Sequence, residues 1–235
     1  TYFYTYLAAE NLAMINLPRL RERIRVRARR PGLRLPEFPN EAIETLVTKI
    51  TEITNFAVEN EEERLRNLRD RAFLLTLADT GLRVHEACAL RRGDVDWNEY
   101  RAVVTGKGDQ QAVVRFSSRS IAALRDYLRA RAVIDGASGR PLSSLPLFIR
   151  HDKGAGKEIR PLITNSGRNI VRDRVRQFLG EDAVGTITPH SFRHYFVTCV
   201  LQASGNLKLA QELARHKSIS VTQRYAHLSN AELDK

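Results

Sequence analysis

Six side chains spread along this chain could bind an anion, move a proton or act as a nucleophile: Arg83, Lys107, His190, Arg193, His216 and Tyr225. Guanidinium groups bind phosphate oxygens bidentately and stay charged at any physiological pH. Imidazoles donate or accept a proton near neutrality, and a tyrosine hydroxyl is a nucleophile once its proton is removed. His190 and Arg193 stand three apart in Thr188-Pro189-His190-Ser191-Phe192-Arg193. Thr188 suits an N-cap and Pro189 the first helical position, so both side chains fall on one face of an opening turn, beside backbone N–H groups that favour an anion. By itself this pair is a weak signal, because many helices carry one by chance. Arg83 lies in Thr80-Gly81-Leu82-Arg83-Val84-His85-Glu86. A carboxylate one turn on stiffens an arginine and aims it, though alone the pair reads as a surface ion pair worth ~0–1 kcal/mol. Lys107 sits between Gly106 and Gly108, where glycines allow close approach and lysine offers a mobile proton.

Those residues need a mainly helical frame with one small antiparallel sheet. Phe3, Tyr6 and Leu7 are compatible with a helix from Thr1 to about Ala13. From Pro18 to Pro39 the spaced prolines and intervening arginines read as a linker, kept extended by like-charge repulsion. Asn40 looks like an N-cap for a helix with Ile43, Leu46, Val47 and Ile50 on one face. After the acidic turn at 59–63, Leu65, Leu68, Ala72, Leu75 and Ala78 recur at helical spacing, and Gly81 offers the stop. The period changes over 96–116, where 100–105 and 111–116 are β-rich runs joined by a Gly/Lys turn, a hairpin with Lys107 at its tip. Helices are expected again at 118–132, 166–179, 189–203, 207–215 and 221–225.

Taken together, the motifs resemble the active site of the tyrosine recombinases of the phage integrase family. The likeness spans 40–235, and includes the interval from His216 to Tyr225 and the sequence Gln223-Arg224-Tyr225-Ala226-His227. It implies the catalytic-domain fold of DNA breaking–rejoining enzymes over 40–235. It also implies that 1–39 holds the last helix of an N-terminal core-binding domain plus an arginine-rich linker, with that domain's first helices missing. Arg83, Arg193 and His216 would then stabilise charge on the phosphate, with Glu86 in support. Tyr225 would attack the phosphorus to leave a 3′-phosphotyrosyl ester and a free 5′-hydroxyl. Either His190 as base or the arginines' potential would ionise Tyr225, and Lys107 would protonate the leaving 5′ oxygen. No cofactor, metal or ATP is called for, and four protomers would assemble as a tetramer on double-stranded DNA carrying specific recombination sites. A tail over 226–235 would dock on a neighbouring protomer. Two positions depart from the family pattern: His85 stands where a small residue is usual, and Arg215 where glycine is. A non-glycine residue in a left-handed helix end costs ~1 kcal/mol or more. Either the turn differs, or the strain is accepted and Arg215 adds a DNA contact. A type IB topoisomerase uses nearly the same chemistry, but the GlyLysGly hairpin and the His216-to-Tyr225 spacing favour a recombinase. A DNA-binding relative without turnover has only His85 and Arg215 in its support.

Charge agrees with a polyanionic partner. The chain of 235 residues carries a formal +11, and eight arginines stand between Arg19 and Arg34 against one acid, Glu22. Arg21, Arg23, Arg25, Arg27, Arg29 and Arg30 are the DNA-contact candidates of that stretch, each adding salt-sensitive affinity on meeting a phosphate. A hydrophobic content of 43% excludes the disordered class. No apolar run approaches the ~20 residues of a membrane span, and the first residues lack the pattern of a signal peptide. Numbering from a threonine suggests a fragment of a longer protein. Cys88 and Cys199, unpaired and among apolar neighbours, are expected buried and reduced. The cytoplasm, in association with the nucleoid, is the expected location. Gly156-Lys157 lacks the remaining residues of a P-loop, and His190 and His194 lack the carboxylate of a zinc motif.

Overall fold

A computed structural model describes residues 2–28, 40–106, 111–151 and 158–215. The chain divides into two compact units, Thr1–Phe38 and Pro39–Lys235.

The first unit contains helix α1 (Tyr2–Ala9) and helix α2 (Leu17–Ala28). Over α2 the expected extended linker is instead a helix. Pro18 falls in its first turn, where a missing N–H has no partner to lose, and the Asn16 side chain accepts from the Arg19 amide at 3.0 Å. Arginine is a good helix former, and like charges four apart oppose a helix by only ~0.2–0.5 kcal/mol per pair. Repulsion therefore loses to propensity and capping.

The second unit is built on α4 (Glu61–Thr80), preceded by α3 (Asn40–Thr51). Asn60 caps α4 by accepting from the Glu63 amide at 2.9 Å, and Glu61, Glu62 and Glu63 complement the positive end of the helix. Every residue from Ala72 to Ala78 is buried, as expected of a helix enclosed on all sides. Around it pack α3, α6 (Ser118–Ala130) and α9 (Pro189–Ser204). Phe73 meets Phe148 edge-on, centroids 5.1 Å apart. Among the described residues, no helix is long and apolar enough to cross a membrane.

The sheet pairs β1 (Val95–Asp96), β2 (Arg101–Thr105) and β3 (Gln111–Arg115) in that order, all antiparallel. Val103 faces Val113 across the hairpin, while Ala102, Val104 and Val114 point into the core. The hairpin expected from the period of two is present, and the short β1 extends it. The rest comprises α5 (Val84–Ala89), α7 (Ala132–Gly136), α8 (Thr164–Leu179) and α10 (Leu207–Ala214). The fold is mainly helical with one small antiparallel sheet.

Cys88 is buried and Cys199 half-buried, and both are free thiols. His151, a loop residue without a role in the sequence reading, is buried with its Nε2 2.9 Å from the Tyr127 hydroxyl.

Candidate active site

Three chain turns converge to make the site. The first is the end of α4: Gly81 takes φ +60°, and a Cβ there would stand 2.5 Å from a ring carbon of Phe196. Glycine is thus required twice over, by conformation and by space. The sharp turn aims the Gly81 carbonyl at Arg193, whose Nη1 donates to it at 2.6 Å. The second is the start of α5, where Arg83 occupies the N-cap position. Its backbone N–H donates to Glu86 Oε2 at 2.9 Å and its Nη1 to Glu86 Oε1 at 3.0 Å. The third is the start of α9, where the Thr188 amide donates to the Ser191 hydroxyl at 3.0 Å, fixing the turn that carries His190 and Arg193.

Arg83, His190 and Arg193 line one open cavity of about 300 Å³. Arg193 is only 2% exposed; besides Gly81 it donates from Nη2 to the Ala214 carbonyl, at the end of α10. Arg83 keeps nearly half of its side chain open, so its guanidinium can meet a phosphate while Glu86 holds it from behind. Glu86 is buried. Burial pushes its carboxyl up, but the Arg83 amide and then Arg215 outweigh this and leave it below the usual carboxylate range. The His190 ring lies 4.4 Å centroid to centroid from the edge-on ring of His194. Partial burial, then Arg193 and Arg83, hold the His190 pKa below its ordinary value. Burial, then His190 and Arg193, push His194 down to about 4. At neutral pH both imidazoles are uncharged, so His190 has a lone pair to offer.

The site also holds residues that motif reading did not assign. Arg168, exposed on α8, lines the same cavity, as does His85. A residue on a helix far along the chain leaves no spacing signal; only packing brings it here. His85 is exposed and also borders an adjoining cleft of about 490 Å³ with Arg91 and Arg140. Arg215 takes the left-handed conformation, φ 56° and ψ 44°, that the usual glycine would supply. Its Nη2 donates to Glu86 Oε2 at 2.9 Å. Arg21, Arg23, Arg25 and Arg27 are exposed on α2; helical spacing sets Arg19, Arg23 and Arg27 along one stripe and Arg21 and Arg25 along another. Lys107, His216, Tyr225, Arg29 and Arg30 lie outside the described residues.

The structure is thus a mainly helical domain with a small antiparallel sheet in which two arginines and an imidazole line one cavity. The chain belongs to the phage integrase family, whose profile matches residues 47–232. It is 34% identical over 181 residues to tyrosine recombinase XerC of Corynebacterium glutamicum, covering 77% of this chain and 53% of that one. Tyrosine recombinase XerC of Thermodesulfovibrio yellowstonii is 27% identical over 228 residues, 96% of this chain and 67% of that protein. Among solved structures, XerA recombinase superposes with a TM-score of 0.64 at 26% identity, covering 88% of this chain and 64% of the other. The chain thus spans half to two thirds of the length of the curated relatives it matches.

Proposed function

We propose that this chain carries the catalytic domain of a site-specific DNA recombinase that breaks and rejoins strands through a 3′-phosphotyrosyl ester. The convergence of Arg83, His190 and Arg193 on one cavity carries this reading. A phosphodiester resists attack because its oxygens are anionic and its leaving group is poor. Arg83 and Arg193, fixed by Glu86 and by two backbone carbonyls, supply preorganised positive charge where negative charge grows. His216 joins them as a donor to a non-bridging oxygen. The Tyr225 oxygen attacks phosphorus as its proton passes to neutral His190; the P–O5′ bond breaks, and Lys107 protonates the departing 5′ oxygen. Holding a tyrosine of pKa ~10 ionised at pH 7 costs ~4 kcal/mol, which the base and the arginines' field offset. The ester conserves the phosphate bond, so rejoining needs no ATP.

The substrate is double-stranded DNA with specific recombination sites, on which four protomers assemble within the nucleoid of the cytoplasm. XerH, a structural neighbour at 21% identity, was solved bound to its difH substrate, and the arginine stripes of α2 suit a DNA backbone here. Residues 1–39 are assigned to the end of a core-binding domain and its linker, and 40–235 to the catalytic domain. The test is covalent capture on nicked random duplexes, resolved under denaturing conditions. A protein–DNA adduct that the Tyr225→Phe variant fails to form, although it still binds DNA, is the expected result. Binding without an adduct in the unmodified chain overturns the reading.

A further inference from the structure

We infer that Arg215 is a positioning residue of the active site, acting through Glu86 to keep the Arg83–Glu86 pair net cationic and fixed toward the phosphate. The inference rests on the recombinase reading above.

Arg215 and Glu86 lie 129 residues apart in sequence, and their contact joins the end of α10 to α5. Glu86 Oε1 accepts from Arg83 Nη1, and Oε2 accepts from both the Arg83 amide and Arg215 Nη2. Both carboxylate oxygens are engaged, so the group cannot rotate and Arg83 is held at two points. The charges matter as much as the contacts. Arg83 and Glu86 alone form a neutral pair, in which a buried carboxylate quenches the field of the guanidinium meant for the substrate. With Arg215 the trio carries one net positive charge, shared around a single carboxylate, and Arg83 faces the cavity less neutralised. The charged groups that face Glu86 among the described residues are these two arginines.

The molecule accepts two unfavourable features to make this contact. Arg215 stands in a left-handed conformation that glycine would adopt without strain, and its buried Nε has no hydrogen-bond partner among the described residues. A residue kept for stability alone would not combine both. Observed strain at such a place points to function. Arg193 donates to the carbonyl of the preceding residue, Ala214, so the segment that leads into His216 is tied at successive residues to both arginine systems.

The test compares Arg215→Gly, Arg215→Gln and Arg215→Lys with the unmodified full chain. It reads adduct formation on saturating nicked duplex, DNA affinity and thermal midpoint. Glycine relieves the strain and so offsets part of the cost of leaving Glu86 with one arginine; the midpoint of Arg215→Gly should fall only modestly, with the chain still folded at the assay temperature, and its affinity should hold. Its adduct rate should fall on the order of 10-fold to 100-fold, the scale of a small misplacement of a reacting group. Lysine, which retains the charge, should restore part of that rate. The acid limb of the rate should also move to higher pH in the glycine and glutamine variants, because Glu86 loses one of the two cations that hold its carboxyl down. An unchanged adduct rate in Arg215→Gly overturns the positioning role and leaves the recombinase reading standing. A loss of rate matched by an equal loss of folded protein also overturns it. Absence of any adduct in the unmodified chain defeats the recombinase reading and the positioning role together.

Discussion

Two arginine–carboxylate clusters in this protein use the same groups to opposite ends. In the core, Arg131 is fully buried and every nitrogen of its guanidinium ends on protein. Nε donates to Asp135 at 3.0 Å, Nη1 to the Leu147 carbonyl at 2.9 Å and Nη2 to the Pro146 carbonyl at 2.7 Å. Tyr127 and His151 complete that network from the adjoining helix and loop. At the site, Arg83 rests on one carboxylate and opens to the cavity, while Arg193 is anchored on two carbonyls and still lines it. A cluster whose donors all end on protein fastens elements together. One with guanidinium surface left over holds a charge ready for a substrate. What separates Arg83 from Arg131 is an exposed guanidinium at the cavity; Arg193, as buried as Arg131, differs from it in lining that cavity.

The sharpest way to break the comparison is at Arg131. Arg131→Met takes the donor from the buried Leu147 carbonyl and the half-buried Pro146 carbonyl, and removes one of the two arginines on Asp135, the other being Arg92. Removing one partner from a buried pair typically costs about 3–5 kcal/mol, so the denaturation midpoint should fall steeply. Adduct formation per folded molecule should hold, and a selective loss of cleavage would mean that the two clusters are coupled. The reciprocal variant is Arg193→Lys. A lysine cannot reach two carbonyls and a phosphate at once, so single-turnover cleavage should drop about 10²–10³-fold, as when one oxyanion donor is removed. Stability should fall less than in Arg131→Met. Equal cleavage by Arg193→Lys and the unmodified chain would place Arg193 with the structural arginines.

A smaller effect is expected from Tyr127→Phe, which strips the hydroxyl from His151 Nε2 and from the Ile149 amide at 3.3 Å. Unsatisfied buried groups cost about 1–3 kcal/mol, which thermal unfolding will resolve. Cleavage should be unaffected.

Most of the scaffold was legible because local signals and packing agree. The Gly81 stop and the Thr188-Pro189 start each satisfy backbone groups within a few residues, and the hairpin's alternation matches its burial. Where local signals conflicted, as with prolines and repelling arginines over α2, the weight given to repulsion was wrong and the Asn16 cap was the signal passed over. The site was legible as motifs but not as contacts. Arg215 was marked only as a departure from pattern, and its partner Glu86 lies 129 residues away with nothing in the sequence to link them. Arg168 and the Tyr127–His151 pair are legible only in three dimensions, because they meet through packing between elements with no fixed spacing.

The last contrast concerns protons. His151 is pushed down to about 4 by burial, then by Arg69 and Arg131, from an ordinary value of 6.5. The folded protein therefore holds this ring neutral, while the unfolded chain binds a proton once the pH drops below about 6.5. Stability from this group is complete above that value, declines as the pH falls, and levels off below the folded value near 4. His194 titrates in the same window and His190 is lowered too, so the slope of the unmodified protein has more sources than His151. In His151→Gln the amide can still meet the Tyr127 hydroxyl but does not titrate. The denaturation midpoint of that variant should depend less steeply on pH between about 6.5 and 4, with the remaining slope belonging to His190, His194 and the carboxylates. Parallel slopes in the two proteins would mean that His151 takes its proton without leaving the fold. The core cluster would then be open to solvent protons, and the distinction from the active-site cluster would rest on substrate access alone.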